Sequence, residues 1–235
     1  TDIHGNTNTA TQDVVVTDNE NPTITAAADV AVNNDLGACS ATVTLTAPTT
    51  GDNCGVAGVT NDHPSTTYPV GTTTVTWTVT DIHGNTNTAT QDVVVTDDQK
   101  PVITNVPGNI VINSEDANNT ACSQIATWTE PNATDNCSTG DDLAFTSNYN
   151  SGNPFPVGTT TVTYTATDAG GNTETASFTV TVNDNTKPVI TTNGDQTVNN
   201  DLGLCSAAVT VSASATDNCS PSLTPTGVRS DNLAL

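Results

Sequence analysis

The chain repeats itself, and that repetition limits what it can fold into more than any other feature. Residues 1–18, TDIHGNTNTATQDVVVTD, recur letter for letter at 80–97, and a looser copy, TDAGGNTETASFTVTVND, fills 167–184. Further marks return in the same order: NPTIT (21–25) as KPVIT (100–104 and 187–191), VNNDLGACSATVTL (32–45) as VNNDLGLCSAAVTV (198–211), and PVGTTTVTWTVTD (69–81) as PVGTTTVTYTATD (156–168). Equivalent marks lie 79 to 87 residues apart, too long for a solenoid repeat and the right size for a small self-contained β domain. The expected division is a C-terminal hairpin of a preceding repeat (1–18), complete repeats at 19–97 and 98–184, and an incomplete repeat at 185–235. That pattern reads as a window on a longer continuous array. The alternative is that 1–18 completes the unfinished repeat of a neighbouring molecule as a donated strand, although neither end supplies a strand matching 72–80.

Only 34% of residues are hydrophobic and the net charge is −22, a balance that can signal disorder. Periodicity argues against disorder. In TTTVTWTVT (72–80), Val75, Trp77 and Val79 alternate with threonines, and Val162, Tyr164 and Ala166 do the same in the next repeat. A period of two puts one face of a strand on a core and the other in water, and β-branched Thr suits the wet face. ATVTLTA (41–47), ASFTVTVN (176–183) and AAVTVSA (207–213) follow the same rule. Turn residues punctuate these strands at NNDLG (33–37), GDNCG (51–55), DIHGN (81–85) and DAGGN (168–172). The expected fold is all-β: tandem immunoglobulin-like sandwiches of about seven strands each, in an elongated array, the last two strands of each forming a hairpin around the D-x-x-G-N turn. Trp77, Tyr164 and Trp128 are expected inside.

Four marks together resemble the HYR (hyalin repeat) module: the P-x-I opening, the Cys before a strand, the D-N-C, and the P-V-G-T-T-T-V-T-x-T-x-T-D-x-x-G-N block. The resemblance covers essentially the whole chain. It implies an extracellular immunoglobulin-like module of adhesive and surface proteins and carries no catalytic residues. Modules of this family often hold additional cysteines, whereas this chain keeps one pair per repeat.

Those pairs are Cys39 and Cys54, Cys122 and Cys137, and Cys205 and Cys219, with gaps of 15, 15 and 14 residues. An even pair per repeat reads as one disulfide per domain, formed in an oxidising compartment. The strand between the two cysteines spans ~20 Å, so residues 48–54 must double back for such a bond to close. Zinc is set aside because no C-x-x-C cluster or neighbouring His accompanies them in the sequence.

Acidic residues gather at the junctions: Asp18-Asn19-Glu20-Asn21, Asp97-Asp98, and Asp184-Asn185. In a seven-strand sandwich the turn before the last strand lies where the chain enters the domain, which brings Asp81 to the first junction and Asp168 to the second. The D-N-C loops add Asp52, Asp135 and Asp217. Clustered carboxylates, Asn and carbonyl oxygens are the hard ligands that Ca²⁺ takes six to eight at a time. The junctions also resemble, by analogy, the acidic Pro-ended junctions of cadherins, where calcium stiffens tandem domains. The competing reading is that Asp and Asn are turn formers left in water.

Three Lys and Arg against 25 Asp and Glu exclude unaided binding to a phosphate backbone or an anionic membrane, and no apolar run is long enough to cross a membrane as a helix. Lacking Met, the chain is expected to be an interior segment or a processed product. No constellation for an enzyme is visible: His4, His63 and His83 read as loop residues. The sequons at Asn118, Asn132, Asn136 and Asn218, like the Thr faces, permit glycosylation where the machinery exists. The resulting expectation is an extracellular or cell-surface fibre, stalk or matrix segment, associating with neighbouring repeats or copies of itself. The alternative is an adhesin module recognising a glycan or protein, its loop at 141–155 being the most divergent and aromatic.

Overall fold

The computed structural model describes residues 1–114, 122–220 and 222–227. The sequon at Asn118 lies outside the described residues. The chain divides into two compact units, Thr1–Gln99 and Lys100–Leu235.

Unit 1 runs through β1 (Thr23–Thr25), β2 (Val30–Asn33), β3 (Ser40–Thr42), β4 (Thr49–Gly51), β5 (Val56–Asn61), β6 (Thr67–Pro69), β7 (Gly71–Asp81) and β8 (Thr86–Thr96). One layer is the sheet β2-β8-β7-β5, in which β2 runs parallel to β8 and the other pairs are antiparallel. The facing layer is made of two short antiparallel pairs, β1 with β4 and β3 with β6. The β7–β8 hairpin dominates because its Thr and Val residues favour a pleated, half-buried surface. Its turn closes on Gly84 at φ +93°, an angle that suits glycine. Val75, Trp77 and Val79 are 0%, 7% and 0% exposed, as their alternation predicts. With Val93 and Val95 from β8, Val75 and Trp77 meet Ala41, Val43 and Tyr68 of the facing layer in one core.

Unit 2 repeats this plan through β9 (Val102–Thr104), β10 (Ile110–Ser114), β11 (Ser123–Ile125), β12 (Asn132–Thr134), β13 (Ala144–Ser147), β14 (Pro154–Pro156), β15 (Gly158–Thr167) and β16 (Thr173–Asp184). The main sheet is β10-β16-β15-β13, faced by β9 with β12 and β11 with β14. Val162, Tyr164, Phe178, Val180 and Val182 pack with Ala126 and Phe155, and Trp128 lies half-buried against them. The architecture is the all-β immunoglobulin-like sandwich, built twice. Unit 2 continues into β17 (Val189–Thr192) and β18 (Ala213–Thr216), which pair as β1 and β4 do.

Three expectations change. The run 41–47 keeps its inward alternation at Ala41, Val43 and Leu45, but its ladder stops at Thr42. Of AAVTVSA, only Ala213 joins a strand; Ile190 and Val211 are exposed, whereas their counterparts Ile24 and Leu45 pack against the unit 1 core. The hairpin expected over 1–18 is reduced to its turn, where Gly5 N–H donates to Asp2 O, and Val14, Val15 and Val16 are exposed. Sequence identity with 93–95 does not suffice there. A strand needs neighbours, and β8 has β2 and β7 on its two sides.

Candidate functional site

Three segments of unit 1 converge at the pole where the chain enters the sandwich: the junction at Asp18, the D-N-C loop after β4, and the turn after β7. Carboxylate oxygens of Asp18, Asp52 and Asp81 lie within 4.8 Å of one another. Asp81 is 2% exposed. Its Oδ1 accepts from the backbone N–H of His83 and Asn85, and its Oδ2 from Asn85 Nδ2 at 2.7 Å. Burial pushes its carboxyl upward. The hydrogen bonds from the Asn85 side chain and from the backbone of Asn85, His83 and Gly84 outweigh that, holding it below the ordinary value of 3.8.

Asp52 Oδ2 accepts from the N–H groups of Cys54 and Gly55, both at 2.8 Å, while its Oδ1 is buried with no hydrogen-bond partner. Asp18 Oδ1 accepts from Glu20 N–H, and its Oδ2 lies 3.3 Å from His83 Nδ1. An anionic oxygen buried without a donor is costly unless a cation or water reaches it. The donor set is of the hard oxygen kind that calcium takes. A softer set sits beside it, because Cys54 and His83 also lie within 4.8 Å of the Asp18 carboxylate. Zinc was set aside for want of a His near a Cys; folding brings His83 to Cys54 from 29 positions away.

Unit 2 rebuilds two of the three parts. Asp135 Oδ2 accepts from Cys137 and Ser138 N–H at 2.8 Å each, and its Oδ1 is buried without a hydrogen-bond partner. The carboxylate of Asp168, 5% exposed and held by Asn172 Nδ2 and N–H, lies within 4.8 Å of that of Asp135. Asp217 repeats the loop motif, accepting from Cys219 and Ser220 N–H. Asp97 is buried at the opposite pole of unit 1, accepting from Asn34 Nδ2. Asp98, Asp184, Asn185, Asn19, Glu20 and Asn21 are exposed. Among the described residues, Asp184 and Asp217 join no group of three ligands.

Asn85 and Asn172 were not singled out in the sequence. The signal was present, since an Asn follows the Asp by four positions in every copy of the turn, Asn6 included.

The cysteine pairing is corrected. Cys122 is bonded to Cys219, 97 residues away, with their Cα atoms 5.1 Å apart. Cys39 and Cys137 are also disulfide-bonded, whereas Cys54 and Cys205 are free and exposed. None of the three short-range pairs Cys39–Cys54, Cys122–Cys137 and Cys205–Cys219 forms. The two cysteines of a repeat sit at opposite poles: the Cys39 loop meets the 97–99 junction through Gly37 N–H to Gln99 Oε1, whereas Cys54 lies beside Asp18. Residues 48–54 do not double back.

The aromatic residues of the loop at 141–155 pack on the unit 2 core. Phe155 is fully buried and tilts against Tyr149 at 5.0 Å, and Phe145 stacks on Tyr164 at 5.5 Å. His4 and His83 are exposed, and His63 is half-buried, stacking on Tyr68 at 4.4 Å.

The HYR domain family matches residues 17–95 and 96–182. Hyalin of Lytechinus variegatus is 36% identical over 185 residues, covering 76% of this chain and 34% of that protein. Hyalin of Strongylocentrotus purpuratus is 35% identical over 224 residues, covering 89% and 18%. A mouse protein named for Sushi, von Willebrand factor type A, EGF and pentraxin domains is 35% identical over 70% of this chain and 4% of its own length. The chain thus spans about a third or less of these relatives. Among solved structures, protocadherin gamma B7 extracellular cadherin domains 1–4 align at a TM-score of 0.34 with 14% identity, covering 82% of this chain and 58% of theirs.

Proposed function

Because the chain belongs to the HYR domain family, we propose that it is a structural segment of an extracellular repeat protein with an adhesion or matrix role, stiffened by calcium and cross-linked by disulfides. Three observations support this. A disulfide requires an oxidising compartment. Three Lys and Arg in 235 residues leave few sites for trypsin-like proteases. The aromatic rings of the divergent loop, Phe145, Tyr149 and Phe155, pack on the unit 2 core. Its partners are other repeats of its own kind, in a filament or surface layer where weak contacts add by avidity.

The observation that carries the calcium reading is the buried, unpartnered Asp52 Oδ1 beside the carboxylates of Asp18 and Asp81. In this reading Asp18, Asp52 and Asp81 supply oxygen ligands. Asn85 fixes the Asp81 rotamer, and the ion removes the mutual repulsion of the three charges.

The test is a thermal melt with calcium or with a chelator. Extracellular calcium modules bind at ~10⁻⁴–10⁻³ M, so ten millimolar ion contributes about 1.4–2.7 kcal/mol to the folded state. Asp18→Asn and Asp52→Asn should abolish that gain. A melting temperature and hydrodynamic radius indifferent to chelator would refute calcium, and stabilisation by zinc alone would reassign the site to His83 and Cys54.

A further inference from the structure

The Cys122–Cys219 bond joins two different sequence environments. Cys122 belongs to the C-S segment that opens β11, where Val157 N–H donates to Cys122 O. Cys219 belongs to a D-N-C loop whose Asp217 caps the N–H groups of Cys219 and Ser220. The bond therefore runs from the C-S segment of one repeat to the D-N-C loop of the next.

Both free cysteines occupy one half of this arrangement. Cys54 sits in a D-N-C loop closed by Asp52 in the same way as the Cys219 loop, at 2.8 Å to the N–H groups of Cys54 and Gly55. Cys205 sits in a C-S segment whose loop duplicates that of the bonded Cys39. Asp201 N–H donates to Ser206 O, Leu204 N–H to Asp201 O, and Ala208 N–H to Asp201 Oδ2, matching the bonds Asp35 to Ser40, Ala38 to Asp35 and Thr42 to Asp35. Neither cysteine has a partner within its own repeat, because Cys39 and Cys219 are already bonded.

We infer that Cys54 and Cys205 are the two open halves of the same inter-repeat cross-link. Cys54 takes a C-S cysteine, and Cys205 a D-N-C cysteine, of another HYR repeat. Successive repeats then become covalently continuous, and load along an array passes through disulfides as well as through the junction peptide. This rests on the cysteine arrangement and is independent of the calcium site.

Closure needs an oxidant, a small-molecule or protein disulfide. One thiolate attacks it, giving a mixed disulfide and releasing one thiol. The second cysteine then attacks the mixed disulfide and releases the other thiol. Two thiols lose two electrons and two protons, and one disulfide is reduced to two thiols.

The test uses the 235-residue chain as Cys54→Ser and as Cys205→Ser, each exposed to glutathione disulfide alone and mixed with the other. Neither substitution touches an existing bond. The expected result is a covalent dimer in the mixture, with a Cys54–Cys205 peptide on non-reduced digestion, and none in either variant alone. Symmetric Cys54–Cys54 or Cys205–Cys205 dimers in the single-variant samples would overturn the inference, as would a mixture with no cross-link. A non-reduced peptide map of the native material provides the second measurement. It should contain only C-S to D-N-C pairs between successive repeats, and pairs within a repeat would overturn the inference. Mixing isotope-labelled with unlabelled material tells bonds within one molecule from bonds between copies.

Discussion

Replacing Gln91 by Leu isolates one polar contact in an otherwise apolar core. Gln91 is 1% exposed and lies in the inward register of β8, opposite Val75. Its Oε1 accepts from Trp77 Nε1 at 3.2 Å, and its Nε2 donates to Ala28 O at 2.6 Å. Leu fills a similar volume, so no large cavity opens. Ala28 is exposed and its carbonyl can turn to water. The buried indole N–H cannot, and leaving such a donor unpaired costs about 1–3 kcal/mol. At 4–8 °C per kcal/mol for a repeat of this size, the unit 1 transition should fall by roughly 4–24 °C. Differential scanning calorimetry reads this directly, and the unit 2 transition serves as an internal reference that should not move. Trp77→Phe on top of Gln91→Leu removes the orphaned donor as well, so the double variant should lose less than the two single losses added together. A neutral Gln91→Leu, or strictly additive losses, would show that the indole finds another acceptor and would refute the reasoning.

Two further perturbations test the polar groups around the core. Asp81 is held below its ordinary pKa, so its contribution to stability is complete above about pH 4 and is lost as pH falls through the depressed value. Asn85→Ala removes the largest of the bonds that depress it and should move acid unfolding of unit 1 to higher pH, read by circular dichroism. Tyr164 is pushed up to about 12 by burial and by its hydrogen bond to Glu130. A raised phenol stabilises the fold below the ordinary value of 10 and loses that effect between 10 and about 12. Glu130→Gln should lower the Tyr164 value in a tyrosinate absorbance titration, and an unchanged curve would leave burial as the sole cause.

The two repeats solve the indole problem differently, which marks how far the sequence could be read. Period-two alternation placed Trp77 and Tyr164 inward, and both are buried. It could not say what their polar atoms meet, because the partners come from other strands. In unit 1 the indole on β7 meets Gln91. In unit 2 the position of Gln91 is Phe178, the position of Trp77 is Tyr164, and the indole has moved to Trp128. There it donates from Nε1 to the Tyr164 hydroxyl at 2.7 Å and packs edge-on against Phe178 at 5.2 Å. The substitutions compensate as a set, so one residue carried alone from one repeat into the other would leave a polar atom unpaired.

The cysteines were misread for a related reason. Spacing favours the nearest pair, since a loop of about 15 residues closes at small entropic cost. Strand geometry opposes it: the extended run from Cys39 to Cys54 delivers the second thiol to the far end of the sandwich. The difficulty was visible as a length, ~20 Å of strand between two atoms that had to touch. Its resolution was not, because a tandem sequence offers each cysteine equivalent partners in its own repeat and in the next, and only folded geometry separates them. The acidic pole was more legible, because Asp52 and Asp81 recur beside turn signals and the sandwich topology brings those turns to the junction. Its neighbours were not. His83 and Cys54 reach Asp18 only after β5 to β7 have folded back across the sheet, and that return also puts Cys54 at the face where the chain enters the repeat. If the Cys122–Cys219 geometry holds throughout, Cys54 and the acidic cluster of Asp18, Asp52 and Asp81 put the cross-link and the acidic pole of a repeat in one place.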